Sequence, residues 1–417
     1  MSIQQNFPAI SPSLNLNFAR SKTLDPRITF SRTSTATRVN EQGLIEVVSA
    51  DIPRFDHEYD ASTGVIKSLG LLVEESRSNL LANNNDWTSP AKTTANVTIT
   101  SNAGISPDGG LNATRLQETS ATNVQRRWYG NIGTVSSYNT MTWSVFVKPD
   151  GNRKSIGLYP NYGGSGFLGE YNLQDLTYFG SFVGGGNAID ASQDIKVYPN
   201  GWYKLIVTIT FNTAQTGMNF YGYFSGNLDD ANDYYDGDGS SGILLWGEQI
   251  EPGPSPTSYI PRPDASTATR NPDSVTMTGD NFSDWYNPSE GTVFVDSLVK
   301  YNPNETKFVW SLYGGSIDHS LRQPHLTGLR FRAVIGGAFT PAPGTGFNAT
   351  NGSTTKAAVA YDSTTGRLQV GTSGDDVTMI GTADPTIFKI GPHNGTISQL
   401  TYYPVRLPNS TLQTLTK

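Results

Sequence analysis

Cysteine is absent from the 417 residues, which excludes disulfides, thiolate metal sites and cysteine nucleophiles. Charge is also scarce, at 16% of residues with a net charge of −7 and no basic run. A nucleic-acid backbone needs clustered Lys and Arg, so no nucleic-acid partner is expected. No stretch approaches the about 18 consecutive apolar residues of a spanning helix, so no membrane insertion is expected. The opening MSIQQNFPAISPSLNLNF lacks the positive and apolar regions of a Sec signal. Histidines are few and scattered (His57, His319, His325 and His393), and none lies at the i, i+2 or i, i+4 spacing of a metal pair. There is no strand with the carboxylate pattern of a sandwich glucanase, no Gly-x-Ser-x-Gly elbow, no heptad repeat and no β-helix rung. The sequence therefore carries no signature of catalysis, and a non-enzyme is expected.

What is present is glycine (43 residues) and aromatic side chains (11%) in a chain of short apolar runs. That balance favours many strands joined by tight turns, hence an all-β protein, and the length calls for two or three domains. Residues 142–148 and 202–211 alternate apolar and polar side chains, as half-buried antiparallel strands do. Residues 243–250 form an apolar run containing Trp246, followed by Pro252, Pro254, Pro256, Pro261 and Pro263. Proline fixes φ and removes a backbone donor, so a strand must end there and a tether begin. This predicts three regions: a small β-rich region with an N-terminal arm over 1–81, a jelly roll over 82–262, and a second sandwich over 263–417. The second sandwich has expected strands at 292–299, 307–313, 329–335, 357–361, 367–370 and 396–403. The first region is poor in large side chains and is expected to lean on another domain or on a partner.

Sugar sites in sandwiches combine an aromatic face with Asn, Asp or Arg. Three stretches offer that mixture: Tyr159 to Tyr171, with Tyr159, Tyr162 and Phe167; Asp233 to Asp238, with Tyr234 and Tyr235; and Arg126-Arg127-Trp128-Tyr129. Any one aromatic is more often core or rim packing. The acidic stretch with Asp229, Asp230, Asp233, Asp236 and Asp238 has the hard oxygens that calcium prefers, although such a stretch is more often a solvated loop.

Trp246-Gly247, Glu251-Pro252-Gly253 and Pro256-Thr257-Ser258-Tyr259-Ile260-Pro261 resemble the closing segment of jelly-roll modules in bacteriophage tail-fibre and other virion proteins. Leu24 to Arg32, Ser34 to Thr37, Pro53 to Asp56 and Gly70 to Leu81 are similar to the N-terminal part of the same proteins. Phe282 to Asn287 and Tyr403 to Pro408 are similar to their concanavalin A-like sandwich. The resemblance implies two antiparallel sandwiches, a jelly roll like carbohydrate-binding modules and a concanavalin A-like one, behind a virion-attachment region. It implies a non-catalytic tail-fibre or appendage protein that binds host-surface glycans, contacts other virion proteins through its N-terminal region and resides in the virion. A homo-oligomer is expected, with a trimer as the guess and calcium as the one cofactor considered. A purely structural decoration, collar or baseplate component is the alternative, and a polysaccharide-degrading enzyme a third reading.

Overall fold

The computed structural model describes residues 10–90, 92–227, 230, 234–299, 307–314, 317–323, 330–335, 338–341, 354–378 and 385–417. The chain is all-β and antiparallel, as expected, and its four large sheets make two sandwiches.

The first sandwich pairs two six-stranded sheets. One runs in the order Ala188–Tyr198, Trp202–Gln215, Tyr138–Asp150, Gly242–Pro252, Leu111–Glu118, Val97–Ile105. The other runs Thr177–Val183, Ser165–Asn172, Ser155–Tyr162, Asn219–Ser225, Arg126–Asn131, Lys92–Ala95. Alternate residues of both fill the space between them, including Trp143, Val145, Leu205, Val207, Leu158 and Phe220. The expected alternations at 142–148 and 202–211 both lie on these strands.

The outer face of the first sheet is roofed. Phe146, Trp202 and Trp246 leave that sheet to pack with Tyr259 and Ile45, with the Trp246 and Tyr259 ring centroids 4.6 Å apart. Gly247 makes this possible. It sits at φ +63° in a bulge, where two residues oppose one on the Tyr138–Asp150 strand, and a Cβ there would lie 2.9 Å from the Phe146 ring.

The second sandwich draws on both ends of the chain. Its eight-stranded sheet contains Arg54–Asp60 and Val65–Val73 beside Gly395–Tyr403, and Leu14–Asn17 pairs with that last strand too. In the facing sheet Thr29–Ser31 pairs with Ser274–Thr278. Leu14, Leu16, Phe18, Phe55, Leu71 and Val73 share one core with Trp285, Val293, Trp310 and Tyr402. Residues 10–81 therefore do not form a separate domain, and the second sandwich does not begin at 263. With so few large side chains, the N-terminal strands bury their apolar face only by completing the C-terminal sheets.

The proline-rich segment is likewise a wedge rather than a tether. Glu251 accepts from the Thr257 backbone N–H (3.0 Å) and hydroxyl (2.5 Å), and Gln249 accepts from the Ile260 N–H at 2.6 Å. Against it lies a buried ionic junction. Arg54 reaches Glu74 at 2.8 Å and Asp273 at 2.6 Å, Arg32 reaches Asp273 at 3.1 Å, and Arg270 reaches Glu74 at 2.9 Å. All five side chains are buried, and the Ser258 hydroxyl donates to Glu74 at 2.7 Å. Charges taken out of water are tolerated only when paired this thoroughly, so the junction fixes how the segments meet.

Candidate functional site

On the outer face of the second jelly-roll sheet Tyr129, Tyr159 and Tyr221 keep exposed surface while Tyr223, Asn161 and Glu170 are buried, and the side chains are set by strand register. Directly opposed residues of an antiparallel pair share a face. Tyr221 stands opposite Tyr129 on one side and Tyr159 on the other, which makes a row of three phenols across three strands. One step along, Asn219 lies between Asn131 and Asn161; the Asn131 amide donates to Asn219 at 2.6 Å and that of Asn219 to Asn161 at 3.5 Å. On the other side Tyr223 lies between Arg127 and Gly157, with Glu170 opposite Gly157. The result is three parallel rows: amide, phenol, and a mixed row with a notch at Gly157.

The phenol rings form a continuous surface. Tyr129 and Tyr221 stack at 5.5 Å with planes 12° apart, Tyr221 and Tyr223 lie 6.5 Å apart at 11°, and Tyr159 is 6.0 Å from Tyr221. The Arg127 guanidinium sits 5.3 Å over the Tyr129 ring. Tyr129, Tyr159 and Tyr221 are half-buried, so each keeps exposed surface. Burial raises the pKa of Tyr159 and Tyr223 above the ordinary phenol value, and both remain neutral hydroxyl donors at physiological pH. Such a face combines apolar ring surface with amide, hydroxyl and guanidinium groups, which suits a polyhydroxylated ligand.

Of the residues singled out by sequence, Tyr159 and Arg127 belong to this face. Trp128 does not. It points into the core, where its indole N–H donates to buried Glu248 at 3.0 Å and its ring occupies the space over Gly222. Phe167 faces the same core and Tyr162 packs at its margin. Tyr235 is clamped between the guanidinium groups of Arg126 (4.2 Å) and Arg153 (4.9 Å), and its hydroxyl donates to Glu118 at 2.8 Å, so it secures a loop. Tyr234 is 58% exposed on that loop, outside the three rows.

The aspartates of the same loop serve its turns. Asp238 accepts from the backbone N–H groups of Ser240 (2.7 Å) and Ser241 (2.6 Å) and from the Ser241 hydroxyl (2.6 Å), bonds that hold it well below the usual carboxylate range. Asp236 accepts from the Asn123 N–H at 2.8 Å. Asp230 is exposed, and Asp229 and Asp233 lie outside the described residues. Among the described residues no three His, Asp or Glu side chains gather closely enough to hold an ion.

Sequence reasoning touched Tyr129 and Asn161 within its candidate stretches but missed Tyr221, Tyr223, Asn131 and Asn219, because it looked for aromatics in loops. The signal lay in the strands: polar aromatics alternate with core residues in both Arg127-Trp128-Tyr129 and Tyr221-Gly222-Tyr223. Apart from this face, a crevice of about 580 Å³ opens between the roofed sheet and the N-terminal strands. Asp56, His57, Asp194, Lys204 and Thr257 help to line it.

No protein-family model and no curated protein matches the chain. Among solved structures it is similar to Trypanosoma rangeli sialidase bound to 2,3-difluoro-KDN, at 11% identity and TM-score 0.27 over 73% of this chain and 60% of that one. Another structure of that sialidase is matched at 9% identity and TM-score 0.26, over 94% and 98% of the two chains. Mouse laminin alpha1 domains LG4-5 follow at 8% identity and TM-score 0.21, over 65% and 80%. The chain thus spans 60% of the length of the sialidase chains it matches first. These likenesses concern β-sandwich fold alone. The expectation of a tail-fibre, decoration, collar or baseplate protein finds no support here and is withdrawn: none of the matched structures is a phage protein.

Proposed function

We propose that the protein binds an oligosaccharide on the open face of its jelly roll, along the row Tyr129, Tyr221, Tyr159. The observation that carries this reading is the register-set phenol row, flanked by the Asn131, Asn219, Asn161 row and half-exposed among the described residues. Strands lie about 4.8 Å apart, so three of them offer a platform of about 10 Å across, room for about two sugar rings. Ring faces would pack on the phenols, while the amides and Arg127 would meet hydroxyl groups. The reading is one of binding without turnover. Among the described residues of the three rows Glu170 is the one carboxylate, whereas glycoside hydrolysis commonly uses a pair.

A glycan array probed with the wild-type chain and with Tyr221→Ala tests the proposal. A class of oligosaccharides bound by the wild type and lost by the variant supports it. No bound glycan, or equal binding by both proteins, sinks it.

A further inference from the structure

The open sheet ends in an unusual edge. Among the described residues Thr177–Val183 pairs with Ser165–Asn172 alone, so its other side offers a row of backbone groups unpaired by them. All seven of its residues are exposed. Edge strands are ordinarily protected by Lys, Pro or a covering loop. This one has none of these residues, and no charged side chain occurs from Leu176 to Ile189. Of the fourteen exposed large hydrophobic side chains among the described residues, six fall in that stretch: Leu176, Tyr178, Phe179, Phe182, Val183 and Ile189. By contrast, Ala188–Tyr198, an edge of the roofed sheet, carries Asp190, Asp194 and Lys196.

We infer that a second copy of this chain pairs with Thr177–Val183 antiparallel, about a two-fold axis through Gly180. The strand is self-complementary in that register. Tyr178 meets the second copy's Phe182, Thr177 meets its Val183, and Phe179 meets its Ser181, each pair occurring twice. A net charge of −7 makes two copies repel, and an uncharged edge is where they can approach. The partner is thus a like edge, and the assembly a dimer instead of the trimer expected from sequence. Phe179, Ser181 and Val183 share the face that bears the tyrosines, because Phe179 stands opposite Glu170 and Ser181 opposite Leu168. Pairing would join the two six-stranded sheets into one of twelve with both phenol rows on the same side. This consequence rests on the glycan reading; two weak sites on one surface would then gain by avidity.

Sedimentation velocity of the full chain over a range of concentrations tests the dimer. A doubled mass is expected for the wild type. Phe179→Lys with Ser181→Lys sets like charges opposite one another and should weaken the dimer more than tenfold. Phe179→Lys with Ser181→Asp sets opposite charges there and should restore it. Because the chain has no cysteine, Phe179→Cys with Ser181→Cys should give a covalent dimer on oxidation only if this register forms. A monomer at every concentration, or a dimer indifferent to both charge variants, overturns the inference. Tyr221→Ala should leave the dimer mass unchanged, and the double-lysine variant should keep its affinity for a free oligosaccharide while losing binding to a dense glycan surface. Failure of the dimer and failure of the glycan site are therefore distinguishable.

Discussion

The two outer faces of the jelly roll both carry aromatic side chains, and they have opposite fates. On one, Phe146, Trp202 and Trp246 are roofed by Tyr259 and Ile45 and are almost wholly buried. On the other, Tyr129, Tyr159 and Tyr221 stay half-exposed in a row. The chemistry follows the cover. The roofed face uses large apolar rings in tilted and edge contacts, as a core does, and the open face uses phenols beside amides and a guanidinium. An aromatic on the outside of a sheet therefore signals a ligand only when nothing else covers it.

Breaking the junction that holds the roof should have the largest effect. Arg54→Met leaves Glu74 and Asp273 buried with less compensation, and a loss of about 4 kcal/mol is expected by chemical denaturation. Trp246→Ala removes the centre of the roofed cluster at an expected cost of about 3–4 kcal/mol, again read by denaturation.

Acid should loosen the same side. His393 is wholly buried in the sandwich that anchors the N-terminal strands, and burial lowers its pKa from 6.5 to about 4. The folded state holds the neutral imidazole, so the unfolded chain binds more protons between these values and stability falls as pH drops from about 6.5 to about 4. The stake is about 3 kcal/mol, complete above that window. Thermal melts at both ends should show a steeper acid loss for the wild type than for His393→Leu.

On the open face the effects move from stability to binding. Tyr221→Ala, at the centre of the row, should cost about 2 kcal/mol of ligand affinity by titration calorimetry and about 1 kcal/mol of stability. Arg127→Ala, at the rim, should cost about 1 kcal/mol of affinity and leave the melting curve nearly unchanged.

Much of this fold is written locally. The alternation in 202–211 and the run at 243–250 are strands, and Leu412 is buried on the short helix Asn409–Thr416 after Pro408. The weave of the N-terminal strands into the C-terminal sheets is not legible, because pairing partners more than three hundred residues apart, such as Leu16 and Leu400, leave no local mark. Nor is the roof, which depends on which sheet face the Pro254 to Ile260 segment comes to cover. The motifs behind the virion resemblance now have a physical meaning. Arg32, Arg54, Glu74 and Ser258 all lie within them, and all four sit in the buried junction. Such residues report how domains are joined and are silent about what the open face binds. The tyrosines that carry the candidate site lie on strands, where only register brings them together.

The most direct test is a crystal structure of the chain with the best-binding oligosaccharide from an array. The account expects the sugar to lie across Tyr129, Tyr221 and Tyr159 with its hydroxyls toward Asn131, Asn219 and Arg127. A sugar held in the crevice beside His57 and Asp194, or on the second sandwich with the phenol row bare, would contradict it.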